Sequence, residues 1–225
     1  MFLYNESGKK FEIDDSRENM INHGCCGEIY KYKNDCVKLY YGSSLSDGKI
    51  SKNVFETLKE IDSDYFVKLK DLLYPEGLQE FSAYTMKYYS AEELNILDLD
   101  TEYTLYMFHE YLRLFNEFSE KKIIAEDVKR NNTIYDGKNL ILIDPDLFYL
   151  VESSDAFLRQ INKKNLFNLY NSIIINSLED DIYYQKNANI IRALLESIKI
   201  TEKTDVTHEI SKTLKYVNNP KELFK

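Results

Sequence analysis

Apolar and polar residues change period several times along this chain, and each change marks an element. Residues 1–22 predict short strands around a polar turn. From Glu28 to Lys33 polar and apolar side chains alternate, the period of a half-buried strand; Asn34-Asp35 predicts a turn and Cys36 to Tyr41 a second strand. Val54, Leu58 and Ile61 then recur at helical spacing, with Glu56 on another face. Phe66 to Tyr74 and Leu78 to Tyr89 read as strands on either side of a Pro75-Glu76-Gly77 turn. Glu102 to Lys121 predicts a long helix whose stripe is Leu105, Phe108, Leu112 and Phe115, widened by Met107, Tyr111, Leu114 and Phe118. So broad an apolar face predicts a mostly buried helix. His109 within it is expected as a packing or half-exposed residue.

The second half holds one hairpin and further helices. Thr133 to Tyr135 and Leu140 to Ile143 predict its strands, with Asp136-Gly137 as a two-residue turn in which both residues take positive φ. Residues 165–178 form a helix apolar nearly all round, through Leu166, Phe167, Leu169, Tyr170, Ile173, Ile174, Ile175 and Leu178. Ala188 to Ile200 and Thr207 to Leu214 predict two amphipathic helices closing the base. Strands early and helices late predict an α+β fold.

Composition narrows the class. At 225 residues the chain is long enough for a sizeable core in one compact unit. A net charge of −9 argues against nucleic-acid and anionic-membrane partners, which attract basic surfaces. No uncharged apolar run reaches the length of a membrane span, and MFLYNESGKKFEIDD lacks the layout of a secretory signal, so a cytoplasmic protein is expected. Cys25, Cys26 and Cys36 are too few and too clustered for a disulfide framework and are expected as small buried packing residues.

The candidate chemistry gathers in IIAEDVKRNNTIYDGKNLILIDPDLF. Asn132 offers an amide oxygen and Asp144 a carboxylate, both hard ligands suited to Mg²⁺, and a hairpin between them folds the chain back so that both face one small space. Asp127 lies one loop away, where it can accept a hydroxyl proton. Upstream, Gly24 and Gly27 precede a strand, where glycine lets backbone N–H groups approach phosphate oxygens.

This order resembles the protein-kinase-like superfamily across roughly residues 20–180. AEDVKRNN stands where that family has H-R-D-L-K-x-x-N, and Asp144-Pro145-Asp146 where it has D-F-G. Gly24 and Gly27 match the second and third glycines of its glycine-rich loop and Ile29 the valine, with Asn22 in place of the first glycine. Lys38 matches the strand lysine of V-A-I-K, and Glu56, eleven residues before Val67, the helix glutamate that pairs with it; Glu60 competes for that role. The resemblance implies a bilobal kinase-like fold in a single domain, residues 1–225. Its small β-rich N-lobe would span about 1–87, a hinge about 86–90 and a mainly helical C-lobe about 91–225.

It also implies an ATP site. Gly24, Gly27 and Lys38 would hold phosphates, with Glu56 orienting Lys38, and Asn132 and Asp144 would hold Mg²⁺. Asp127 would take the acceptor proton and Lys129 steady the transferred phosphoryl group. The backbone of Lys87 to Tyr89 would meet the adenine edge, Met86 would guard the back pocket, and Ile29, Cys36 and Ile134 would be the apolar walls. The implied activity is transfer of the γ-phosphoryl group to a hydroxyl, first as a serine/threonine protein kinase. A small-molecule phosphotransferase and a nucleotide-binding pseudokinase are the alternatives. Departures bear on that choice. Ala125 and Glu126 replace the His and Arg of H-R-D, so loop phosphorylation has no arginine to receive it. Only about twenty residues are expected between Asp144 and the central helix, with no A-P-E motif, too few for a peptide platform. Asp146 replaces the glycine of D-F-G and adds a carboxylate near the metals.

Overall fold

The computed structural model describes residues 1–41, 48–92, 94, 96, 99–180 and 185–218; the stretch 219–225, included in the expected helical part, lies outside the described residues. Strands β1 (Phe2–Tyr4) and β2 (Lys10–Glu12) pair as a small antiparallel ribbon. Strands β3 (Met20–His23), β4 (Gly27–Tyr32) and β5 (Asp35–Tyr40) follow, then helix α1 (Lys52–Lys59), β6 (Leu69–Leu73) and β7 (Ala83–Lys87). The last five strands make one antiparallel sheet in the order β3-β4-β5-β7-β6. Helix α2 (Thr101–Glu120) leads to four short strands: β8 (Ile123–Ile124), β9 (Thr133–Tyr135), β10 (Leu140–Leu142) and β11 (Tyr149–Leu150). Helices α3 (Asp155–Asp180), α4 (Gln185–Ser197) and α5 (Val206–Asn218) complete the described chain. The class is α+β, a sheet-rich N-terminal part followed by helices. Among the described residues no helix is long and apolar enough to cross a membrane.

Local chemistry explains the element ends. Ser51 caps α1 by accepting from the Val54 N–H, and Asp100 caps α2 by accepting from the N–H groups of Glu102 and Tyr103. The β4–β5 turn falls one residue earlier than the sequence suggests. Asp35 already pairs with Tyr32 and Lys87, so Lys33-Asn34 makes the turn, with Lys33 at φ 57°. The β9–β10 loop is wider than two residues, because Leu140 pairs with Tyr135. Gly137 alone in that loop takes positive φ, and the Asp136 carboxylate instead closes the turn by accepting from the N–H groups of Lys138 and Asn139. Strands β6 and β7 are also shorter than expected; Leu78 projects into solvent. The stripe of α2 is centred on Met107, Phe108, Tyr111, Leu114, Phe115 and Phe118, while Leu105 and Leu112 are only half-buried and His109 is exposed.

Helix α3 starts at Asp155 rather than near 165, so only residues 145–154 separate it from Asp144. Its Leu166, Phe167, Leu169, Tyr170, Ile173, Ile174 and Leu178 are buried. They belong to one cluster that also holds Phe55, Leu72, Tyr84 and Met86 from the sheet side. A single apolar core therefore joins sheet and helices. Each fully buried Phe or Leu in it is worth roughly 2 kcal/mol. A second cluster (Leu3, Phe11, Tyr30, Val37, Leu39, Leu73 and Ala83) covers the opposite sheet face. Side chains alternate along β5, so Val37 and Leu39 enter that second cluster while Cys36, Lys38 and Tyr40 face the other way, toward the helices. With β4 and β7 on either side, β5 is interior, and Lys38 is not an edge lysine.

Candidate functional site

Three local structures carry the site. The first is the β3–β4 turn, closed by the Gly24 N–H donating to the Gly27 carbonyl. Gly27 is required by packing: a Cβ there would lie 2.1 Å from the Leu39 carbonyl oxygen. Gly24 has open space around it, and neither glycine takes positive φ.

The second is the segment between β8 and β9. Asp127 takes φ 54°, a left-handed conformation that Asp tolerates better than most residues. The Lys129 ammonium donates to both of its carboxylate oxygens at 2.7 and 2.9 Å. Asn132 Nδ2 donates to the Asp127 carbonyl (2.7 Å) and to Oδ2 (3.0 Å), so Oδ1 is the amide atom available to a cation. The third is Asp144, also left-handed at φ 60°, opening the short 3-10 turn Pro145–Leu147. The hairpin joins the last two, since the Ile143 N–H donates to the Asn132 carbonyl at 2.8 Å.

Lys38 spans the gap from the sheet. Its Nζ donates to Asp144 Oδ1 at 2.5 Å and sits 2.7 Å from Asp146 Oδ2. The approach to Asp146 is ionic and off-line, so Oδ2 accepts no aligned hydrogen bond. Oδ1 of Asp146 accepts from the Tyr40 hydroxyl (2.8 Å) and the Tyr84 hydroxyl (3.3 Å). Lys38 is 5% exposed and Asp146 7%, whereas the Asp144 side chain is 38% exposed. Burial pulls the Lys38 pKa down, but Asp146 and Asp144 outweigh it, and the ammonium is held above its usual value. Burial raises the Asp146 carboxyl; the charge of Asp144 adds to this and Lys38 opposes it. The Tyr40 and Tyr84 hydroxyls are pushed far up, by burial first and then by Asp146, and remain donors.

These parts line a cleft of about 240 Å³. It receives Gly24, Gly27, Ile29, Lys38, Asp127, Lys129, Asn132 and Asp144, as expected from the sequence, and adds Asn22, His23, Cys25, Cys26, Asp146 and Leu147. A larger groove of about 340 Å³, lined by Asp62, Asp64, Tyr103, Glu110 and Arg113, receives none of the expected residues.

Six expected residues are not in the cleft lining. Glu56 is exposed on the outer side of α1, beside Glu6, Lys59 and Asp71, and Lys38 pairs with Asp144 and Asp146 instead. Val54, Phe55 and Leu58 claim the inward face of that short helix, which turns Glu56 out. Glu60 pairs with Lys121. Met86 is buried in the core, and its carbonyl and that of Lys87 receive the Cys36 thiol at 3.8 Å. Of the backbone expected at the adenine edge, the Lys87 N–H donates to the Lys68 carbonyl and the Tyr88 N–H to the Asn34 carbonyl. Tyr89 and Ile134 are half-buried.

The cysteines also differ from expectation. Cys36 is buried, with burial raising its thiol to about 12, but Cys25 is exposed and Cys26 half-buried on the cleft turn, their sulfurs 3.1 Å apart. The hydrogen bond with Cys25 and burial raise the Cys26 thiol to about 11.

Asn162 is the positioning residue that the sequence reading missed. It is 1% exposed on α3, donates to Ser119 Oγ and the Ile123 carbonyl, and accepts from the Ala125 N–H. Asn165 donates to the Ala125 carbonyl. Together they fix the strand end that leads into Asp127. The available signal was an asparagine at i+4 from Leu158 and i−4 from Leu166, a core position.

The donor set suits a hard cation. Among the described residues no three His, Cys, Asp or Glu side chains cluster as a metal cage. One carboxylate and an amide oxygen, completed by water and phosphate, match the way Mg²⁺ is held. Comparison of the chain with protein-family models and with curated proteins finds no match.

Proposed function

We propose that this chain is an ATP- and Mg²⁺-dependent phosphotransferase that moves the γ-phosphoryl group to a hydroxyl. The observation that carries this reading is the meeting of Lys38 with Asp144 in a cleft that also receives Asp127, Lys129 and Asn132. A buried lysine, two carboxylates and an amide in one concave site suit phosphoryl transfer, where positioning and charge neutralisation supply most of the rate.

Each side chain has a role in this reading. Lys38 neutralises phosphate oxygens, and Asp144 and Asn132 would hold Mg²⁺, whose charge would offset that of the phosphates. Asp127 orients the acceptor hydroxyl and takes its proton. Lys129, already beside Asp127, steadies the charge on the phosphoryl group in flight. The acceptor is a serine or threonine hydroxyl of a protein, or the hydroxyl of a small molecule. The second is favoured by the brevity of 145–154, which leaves little chain for a peptide platform. A pseudokinase reading is less favoured, because Lys38, Asp127, Asn132 and Asp144 are all present and four of four reach the cleft.

Incubation with γ-labelled ATP and Mg²⁺ tests the proposal. Label on protein supports a protein acceptor, and label appearing only with added hydroxyl metabolites supports a small one. Asp144→Ala should abolish either transfer; full activity in that variant refutes the assignment.

A further inference from the structure

The geometry points to Asp146 as the residue that positions Lys38 for nucleotide phosphates, in the place of a helix glutamate. This rests on the phosphotransferase reading and deepens it. Lys38 is buried on an interior strand, and a buried ammonium needs a fixed carboxylate partner. Glu56 is unavailable, exposed on the far side of α1. Asp144 is the more exposed of the two partners, and its carboxylate is the one suited to a cation. Asp146 differs in every respect that makes an anchor. Its carboxyl is buried, it lies in the middle of a 3-10 turn that Pro145 opens, and two tyrosine hydroxyls from β5 and β7 hold Oδ1. Only Oδ2 faces Lys38. Tyr40 is in turn held by the Ile50 N–H at 3.4 Å. The carboxylate thus stands in a fixed frame, and Lys38 keeps one permanent partner when phosphate or metal draws Asp144 away. Because Oδ1 is already engaged twice, Asp146 serves as an ion-pair partner and not as a metal ligand.

A double-mutant cycle read by ATP dissociation constants tests this, using Asp146→Asn and Lys38→Met, alone and together, each with Mg²⁺ and with EDTA. Asparagine keeps the shape and the acceptor for both tyrosines while removing the charge. The expected result is a loss of about tenfold in ATP affinity on Asp146→Asn, equivalent to roughly 1.4 kcal/mol, with or without metal. In the Lys38→Met background the same substitution should change affinity by less than about twofold, since interacting residues are non-additive. Equal losses in both backgrounds would overturn the anchor role. A loss seen only with Mg²⁺ would also overturn it and make Asp146 a metal ligand. Either leaves the phosphotransferase reading standing, whereas a wild-type chain that binds no ATP in either condition overturns both. Circular dichroism of all four proteins separates a lost fold from a lost site. If Asp146→Asn does not fold, Tyr40→Phe with Tyr84→Phe replaces it, and an unchanged affinity there overturns the frame.

Discussion

Lys38 Nζ lies 2.5 Å from Asp144 Oδ1, although 106 positions separate the two residues in the chain. One comes from the centre of the sheet and the other from the turn after the β9–β10 hairpin, so their contact reports whether sheet and helices have closed on one another. The ammonium is buried between Asp144 and Asp146 and cannot lose its partners cheaply.

Replacing Lys38 by Met should therefore destabilise the whole fold. It leaves the Asp146 carboxylate buried without a counter-charge, and breaking a buried pair from one side costs about 3–5 kcal/mol. Urea unfolding measures it. The deficit should shrink when Asp146→Asn is added, and an undiminished deficit would show that packing, not charge, is at stake.

The two glycines of the cleft turn should respond oppositely. Gly27→Ala drives a Cβ into the Leu39 carbonyl, a backbone atom that cannot swing aside, and about 2 kcal/mol or more of stability should be lost. Gly24→Ala meets nothing within 4 Å and should leave the melting temperature within about a degree. A fall in ATP affinity for Gly24→Ala at unchanged melting temperature would place that turn on the phosphates.

Asn162→Ala removes two donated bonds and one accepted bond in the core beneath Asp127. The orphaned Ala125 N–H and Ile123 carbonyl should cost about 2–3 kcal/mol. Phosphotransfer should fall further than stability explains, read as a lower kcat at temperatures where the variant is fully folded. Unchanged kcat would mean the loop holds its shape without Asn162.

Alkaline pH should unfold the chain in a defined window. Hydrogen bonding to Glu28 and burial hold the Tyr30 hydroxyl at about 12, and burial holds Tyr84 and Tyr111 well above their usual value near 10. With folded pKa values raised, the stability these groups contribute is intact below pH 10 and is lost as pH climbs from about 10 to 12 and beyond. Tyrosinate absorbance and circular dichroism followed together should show the Tyr84 and Tyr111 phenols ionising only with unfolding. Their ionisation before loss of structure would contradict the burial described here.

The chain's own pattern carried much of this. Helical spacing placed α1, α2 and the apolar length of α3, and strand alternation placed β4, β5 and the β9–β10 hairpin, because period and local turn chemistry are properties of neighbours in sequence. The order of glycines, Lys38, Asp127, Asn132 and Asp144 was likewise readable, and eight of the residues singled out from it line the cleft. Glu56 could not be resolved that way. Its fate depended on which face of a two-turn helix the core claimed, and Val54, Phe55 and Leu58 claimed the other one. The burial of Asp146 under two tyrosines and the hold of Asn162 on the loop before Asp127 were settled only by chain segments meeting across tens of residues. Local sequence fixes which elements form; the competition among their faces for one core decides which polar groups are left to do chemistry.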